Sequence, residues 1–228
     1  MSKKTLREAI REWEAKEGKR PDEADEVKLN GMHPPIDRLD ENLNLFENCT
    51  KLSLSSNAID RFVALPKLKN LKILSLGRNN IKRIMSLDEV GQTLEELWIS
   101  YNQIEKLDGL QPCVKLHTLY IGNNKINNWA EVQKLSSLPA IKSVLLVGNP
   151  IYDDSETNAT KKQHLEMLKP YIEEEMKKKT EKNSYKEVED SFSKIYWIFR
   201  TVKRLPMLEQ CDNKTVTPQF RSIAEFLE

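Results

Sequence analysis

A short apolar pattern occurs five times in this chain at nearly constant spacing. The pattern is LxxLxLxxNxI, and successive asparagines are 22, 23, 22 and 25 residues apart. A period of about 20 to 50 residues indicates an array of similar units, because one unit cannot bury its apolar side alone whereas stacked units can. The copies occupy residues 49–59, 71–81, 94–104, 116–126 and 141–151, with Asn57, Asn79, Asn102, Asn124 and Asn149 at the shared position.

The LxL centre of each copy has the period of two that is typical of a β-strand, so its two apolar side chains point to the same side. The asparagine that follows can donate and accept hydrogen bonds where the chain turns out of the sheet. These features predict a leucine-rich-repeat solenoid of the α/β class, with a parallel sheet on its concave face. The expected buried pairs are Leu52/Leu54, Leu74/Leu76, Leu97/Ile99, Leu119/Ile121 and Val144/Leu146.

A second apolar set lies between the strands. Its spacings of three and four predict short helical segments on the convex face. The same spacing in residues 36–46 predicts that the array begins with a half-repeat near residue 34, with no strand motif before it. The convex sets are Ile59/Phe62/Leu65/Leu68, Ile81/Ile84/Leu87, Ile104/Leu107/Leu110 and Ile126/Trp129/Val132/Leu135.

Both ends of such an array expose a cross-section of the core and therefore need caps. Thr5 and Glu8 match a capping box at the start of a helix that carries Trp13 on its apolar face. Residues 196–213 contain an apolar helix face followed by proline, which predicts a helical cap at the other end. We therefore divide the chain into an N-terminal capping helix (1–30), a repeat array of a half-repeat and five repeats (31–151), a charged helical insertion (152–195), and a C-terminal cap and tail (196–228).

Composition and motifs exclude several classes of function. With 36 Lys and Arg against 35 Asp and Glu, the formal charge of +1 provides no overall field toward nucleic acid or an anionic membrane. The chain has no secretory leader and no run of about 18 apolar residues, so we expect a cytoplasmic protein. The widely spaced Cys49, Cys113 and Cys211 are expected to be buried free thiols. Phosphate-loop, HExxH and GxSxG motifs are absent, so we expect neither enzymatic activity nor a cofactor or metal.

The residues that alternate with the buried pairs face outward on the concave side, which a leucine-rich-repeat sheet leaves uncovered. Their central column changes from Ser53 and Ser75 to Trp98, Tyr120 and Leu145. A contiguous apolar patch of this kind indicates a protein-binding surface. The alternative is that the cap or the insertion folds over this face. The candidate protein-binding residues are Trp98, Tyr120, Leu145, Val147, Ile73, Ser100, Tyr101 and Arg78.

The chain resembles the outer-arm axonemal dynein light chain 1 family in three segments, LSLGRNNIKRI (74–84), LEELWISYNQIEKLDGL (94–110) and VGNP (147–150). The similarity runs from the N-terminal helix to about residue 151 and resumes near residue 196. It implies a non-catalytic light chain that binds the microtubule-binding region of a dynein heavy chain and regulates ciliary motility. The implied locations are the cytoplasm, the cytoskeleton and the axoneme of the cilium. In this context Arg200, Lys203 and Arg204 are candidates to face tubulin.

Two features depart from the family pattern. Cys211-Asp212-Asn213 stands where related caps carry Leu-Asp-Gly, and residues 152–195 form a longer insertion than the family has. A phosphatase-regulating adaptor and a protein that assembles RNA complexes are alternative functions for the same repeat. RNA binding is disfavoured because Lys51 is the one basic residue at the outward positions of the five predicted strands.

Overall fold

The structure, a computed structural model, describes residues 3–152, 163–166 and 196–226. Eight short strands form one sheet in chain order; β1 to β7 are parallel and β8 is antiparallel to β7. The strands are β1 (Glu26–Lys28), β2 (Lys51–Ser53), β3 (Ile73–Ser75), β4 (Glu96–Trp98), β5 (Thr118–Tyr120), β6 (Ser143–Leu145), β7 (Gln210–Cys211) and β8 (Lys214–Thr215). The helices are α1 (Leu6–Glu17), α2 (Trp129–Gln133), a cap helix (196–204) and α3 (Pro218–Phe226).

The buried strand pairs and the asparagine ladder are as expected. All ten paired side chains are at most 1% exposed. The amide nitrogen of Asn102 donates to the carbonyls of Leu76 and Ile99 at 3.0 Å, while its oxygen accepts from the amide of Ile81 at 3.0 Å. Each asparagine therefore joins its own turn to the preceding repeat, which satisfies backbone groups that the sheet leaves without a partner.

The expectation that no strand motif precedes the half-repeat was wrong. Strand β1 pairs in parallel with β2, and Val27 and Leu29 are completely buried. Gly31 then adopts a left-handed conformation, with φ of 62°. Met32 follows where the later repeats carry asparagine, so the pattern lacks its polar signature at this copy. The first strand is instead tied by Asn57, whose amide donates to the Leu29 carbonyl at 2.9 Å.

Helical structure on the convex face depends on the length of the repeat. Within residues 3–152, the interval from Asn124 to Asn149 contains α2 and a 3-10 turn, and the interval from Met32 to Asn57 contains a 3-10 turn at Glu41–Leu45. Both intervals span 25 residues, whereas the three between them span 22 or 23. The shorter intervals bury their predicted apolar residues from turns and extended segments. The extra residues provide the chain length that a helical turn requires.

The N-terminal cap has the predicted capping box. The Thr5 side chain accepts from the amide of Glu8, and the Glu8 carboxylate accepts from the amide of Thr5. Gly18 ends α1 in a left-handed conformation with φ of 64°. Trp13 is buried with its ring edge against Phe46, with the ring centroids 5.3 Å apart. The helix therefore closes the first end of the core.

The C-terminal cap extends the sheet itself. Strand β7 adds in parallel to β6, and a tight turn at Asp212 and Asn213 returns the chain into β8. Both turn residues have positive φ, 43° and 61°, as the type I′ hairpin turn requires. The departure from Leu-Asp-Gly is thus accommodated by an asparagine in a left-handed position. Ile198, Val202, Leu205 and Leu208 are buried beside this hairpin.

The predicted insertion lies mostly outside the described residues; within it, 163–166 are helical. All three cysteines are buried and unpaired, as expected. Burial raises the pKa of the Cys49 thiol to about 11 and that of Cys113 to about 12. Within the described ranges, no helix combines the length and apolar composition needed to cross a membrane.

Candidate protein-binding surface

Strand register brings the central outward column together on the concave face. Ser75 lies opposite Trp98, Trp98 opposite Tyr120, and Tyr120 opposite Leu145. Since neighbouring strands are about 4.8 Å apart, the two aromatic side chains can stack. Their ring centroids are 6.0 Å apart with an interplanar angle of 23°. Trp98 is 39% exposed, and its indole N–H donates to the Glu96 carboxylate at 2.9 Å.

The apolar surface continues across β6. Leu145 is half-buried and Val147 is 42% exposed. Gly122 lies beside them, where a Cβ atom would come within 2.9 Å of the Val147 carbonyl oxygen. The absence of a side chain at Gly122 therefore permits this close approach of the two strands. We call Trp98, Tyr120, Leu145 and Val147 the apolar patch.

Asp212 of the cap secures one end of the apolar patch. Its Oδ1 accepts from the amides of Leu146 and Val147 at 2.5 and 3.1 Å, and its Oδ2 accepts from the Tyr152 hydroxyl at 3.4 Å. Burial raises the pKa of this carboxyl to about 6, although the two amides act in the opposite direction. No sequence motif predicts a role for this carboxylate. The available signal was an acidic residue directly after the last short strand.

Arg78 and Tyr101 form a stacked pair at the ends of two neighbouring strands. The Arg78 guanidinium carbon lies 4.7 Å from the centroid of the Tyr101 ring, and Tyr101 is 50% exposed. Both residues have left-handed backbones, with φ of 56° and 59°. The same position holds Gly31, Ser56, Asn123 and Gly148 in the other repeats, also with positive φ.

Ile73 and Ser100 lie beside the apolar patch. Ile73 is half-buried and lies opposite Glu96. It is two residues before Ser75, which lies opposite Trp98. Ser100 lies on β4's continuation, two residues after Trp98. Among the described residues, its hydroxyl is the buried side-chain group without a hydrogen-bond partner.

The basic residues predicted to face tubulin lie away from the concave face. The guanidinium carbons of Arg200 and Arg204 lie 4.9 and 4.7 Å from the ring centroid of Trp129, which belongs to the convex helix α2. Burial lowers the pKa of Arg204, and the neighbouring Arg200 lowers it further. Lys203 is exposed on the same cap helix. The cluster therefore forms a second surface, separate from the apolar patch.

The described ranges contain no group of three or more histidine, cysteine, aspartate or glutamate side chains arranged to hold a metal ion. His164 is buried and forms a hydrogen bond with the Tyr196 hydroxyl, so it has a structural contact.

Several known proteins are similar to this chain. A family model for leucine-rich repeats, in two copies, matches residues 92–139. The solved leucine-rich-repeat domain of APL1B is similar to the chain with a TM-score of 0.48 and 21% identity, covering 55% of this chain and 38% of that one.

Several relatives are similar over most of their length, and all are named "Dynein axonemal light chain 1". The Xenopus laevis protein is 41% identical over 215 residues, which covers 94% of this chain and 93% of that protein. The Chlamydomonas reinhardtii protein is 48% identical over 166 residues, covering 72% and 84%. The Mus musculus protein is 52% identical over 147 residues, covering 64% and 77%. The chain therefore belongs to the axonemal dynein light chain 1 family of leucine-rich-repeat proteins.

Proposed function

We propose that this protein is a non-catalytic light chain of axonemal outer-arm dynein that binds the microtubule-binding region of a heavy chain and regulates ciliary motility. Membership of the dynein light chain family supports association with a dynein complex in the axoneme. The observation that carries the binding site is the exposed Trp98–Tyr120 stack on the concave sheet. The family and the open face together favour a binding subunit over an enzyme.

The apolar patch has the composition of an energetic centre in a protein interface. Aromatic residues dominate such centres because large rigid rings bury much area with little loss of conformational freedom. Removing the exposed parts of Trp98 and Tyr120 from water contributes a few kcal/mol. The shallow, strip-like shape of the sheet suits a helix or an extended segment of a partner.

Contact with tubulin is a second element of the proposal. Arg200 and Arg204 lie over Trp129 of the convex helix α2, and Lys203 is exposed on the same cap helix. A heavy chain bound to the concave face would leave this side available to the acidic surface of tubulin. Charge reversal at Lys203 would then weaken microtubule binding of the assembled complex without weakening heavy-chain binding.

The direct test is the double substitution Trp98→Ala and Tyr120→Ala. We expect binding of the purified heavy-chain microtubule-binding region to weaken by more than tenfold, because the stacked pair is lost from the centre of the interface. Isothermal titration calorimetry measures the affinity, and circular dichroism measures the thermal midpoint, which should change little.

The matched control is Met85→Ala with Val114→Ala. These side chains are also exposed, at 42% and 37%, but lie outside the concave strands. Unchanged affinity in the patch variant would remove the patch from the proposal. Recovery of a phosphatase catalytic subunit, without dynein, from cilia that contain the tagged chain would favour the phosphatase adaptor instead.

A further inference from the structure

Arg78 is a cation beside the apolar patch that forms no ion pair with any residue the structure describes. The concave cation Lys28, two strands away on β1, pairs with Glu26 at 3.2 Å, and the carboxylate of Glu96 accepts a hydrogen bond from the Trp98 indole N–H. Arg78 instead lies over the ring of Tyr101 and is exposed. Its charge is therefore available at the margin of the apolar patch, past the C-terminal end of β3, whereas the charged side chains Lys51 and Glu96 lie at the first positions of β2 and β4.

The backbone at this pair is strained. Left-handed φ values cost a residue with a Cβ atom about 1 kcal/mol or more, and glycine or asparagine adopts them most readily. Gly31, Ser56, Asn123 and Gly148 occupy the equivalent positions elsewhere, so the left-handed turn is common to the repeats, but two consecutive repeats place large side chains there. Retention of these two stacked side chains against the conformational cost points to a role beyond the turn itself.

The stacked pair is close to the apolar patch. Tyr101 follows Trp98 by three residues, so their Cα atoms are within about 10 Å. Two turns of a helix cover about 11 Å. One partner segment can therefore place apolar side chains on Trp98 and Tyr120 and a polar side chain at Arg78.

The ring of Tyr101 orients the Arg78 guanidinium, and a guanidinium presents paired N–H donors that match a carboxylate. A polyanion such as RNA or a phosphate-rich surface needs several cations in a row. The outward strand positions next to Arg78 are instead Ser53, Ser55, Ser75 and Gly77.

We propose that the concave face recognises an amphipathic partner segment whose apolar anchors are followed by an acidic side chain, and that Arg78 pairs with that carboxylate. The inference rests on the proposed use of this face for partner binding. It goes further by specifying the partner's chemistry, and it does not depend on which protein carries the segment.

The test uses the full chain as bait for a library of random displayed peptides. Only peptides that the wild type retains and the variant with Trp98→Ala and Tyr120→Ala does not are analysed, because their binding depends on the apolar patch. We expect peptides selected by the wild type to be enriched at least twofold in Asp or Glu within seven residues of an aromatic or aliphatic anchor. Arg78→Gln should abolish that enrichment, and Arg78→Glu should replace it with Lys or Arg. Arg83→Gln is the matched control, since Arg83 is also exposed and the net charge changes by the same amount.

The same variants are then titrated with the heavy-chain microtubule-binding region. Arg78→Gln should weaken its binding by about tenfold relative to Arg83→Gln, and Arg78→Lys should be intermediate because lysine lacks the paired donors. Equal acidic content in peptides selected by wild type and Arg78→Gln, or no patch-dependent peptides, overturns the inference. An acidic preference without any heavy-chain binding supports the inference and contradicts the proposed function.

Discussion

At the residue scale, the buried asparagines determine how tightly neighbouring repeats are joined. Asn79, Asn102, Asn124 and Asn149 are each at most 8% exposed. Each amide makes hydrogen bonds both within its own turn and to the preceding repeat, as Asn102 does to Leu76. Because water does not reach these buried groups, loss of the asparagine side chain would leave backbone groups without hydrogen bonds. This costs more free energy of unfolding than the loss of one surface hydrogen bond.

Asn102→Ala is therefore expected to lower the free energy of unfolding by about 2–4 kcal/mol, since one buried amide and two carbonyls lose partners. Urea denaturation followed by circular dichroism measures the change. Asn80→Ala is the matched control, because Asn80 is exposed and its side chain makes only long bonds, donating to the Ala58 carbonyl at 3.4 Å and accepting from the Gln103 amide at 3.5 Å. If Asn102→Ala lowered the free energy of unfolding as little as Asn80→Ala does, the asparagine ladder would not stabilise the array as proposed.

At the scale of an element, the terminal hairpin β7–β8 completes the edge of the sheet next to the apolar patch. The array would otherwise end with the backbone of β6 unpaired. Strand β7 pairs with Ser143 and Val144, and beyond it the Asp212 side chain accepts from the amides of Leu146 and Val147. A side chain of the cap thus accepts at the last strand the bond that a backbone carbonyl of the next strand accepts elsewhere, as the Leu145 carbonyl does from the amide of Ile121.

The raised pKa of Asp212 predicts how pH affects this element. Its folded-state pKa of about 6 lies above the ordinary value of 3.8, so the folded state holds the proton more tightly. The corresponding stability is fully present below pH 4 and is lost as pH rises through 6. We expect this group to reduce the free energy of unfolding by about 1–3 kcal/mol between pH 4 and pH 7.

Thermal unfolding of the wild type and Asp212→Asn at several pH values isolates this contribution, because the other carboxylates cancel in the difference. Asparagine can still accept from the two amides but does not ionise. The stability difference between the two proteins should therefore change with pH in the stated direction. A difference that is constant from pH 4 to 7 would show that Asp212 has an ordinary pKa.

At the scale of the whole molecule, each repeat packs on its sequence neighbours through a continuous core. The strand order follows the chain from β1 to β8. In such an array each repeat contacts only its neighbours, so a substitution at one end destabilises the nearby repeats most. A substitution in the N-terminal cap should therefore leave the structure of the apolar patch on β4 to β6 unchanged.

Trp13→Ala tests whether the cap affects binding at the patch. Removing this buried indole from its contact with Phe46 is expected to lower the free energy of unfolding by about 3–5 kcal/mol. Below the unfolding transition, heavy-chain affinity should remain as in the wild type, with faster hydrogen exchange confined to the first repeats. Leu146→Ala removes a buried side chain beneath the patch and should reduce both stability and binding. Equal loss of heavy-chain binding in the two variants would contradict the expectation that the effect of a substitution remains within neighbouring repeats.

The sequence predicts the repeated part of the fold well. Period-two spacing identifies the buried strand pairs and the outward column from Ser53 to Leu145, and the register confirms that this column is continuous. Strand β1 was missed because Met32 replaces the asparagine. The apolar spacing predicts helical segments on the convex side of each repeat, but within residues 3–152 only the intervals of 25 residues have the length for helical turns.

The amino-acid sequence by itself determines the solenoid, its caps and the presence of an apolar concave patch, because these follow from periodic burial between adjacent repeats. The tertiary structure alone decides the contacts that join distant segments or depend on backbone conformation. It brings Asp212 to the end of β6, places Arg200 and Arg204 over Trp129, and stacks Arg78 on Tyr101 through left-handed backbones. No periodic pattern records those contacts, since each depends on where the chain turns and not on which residues recur.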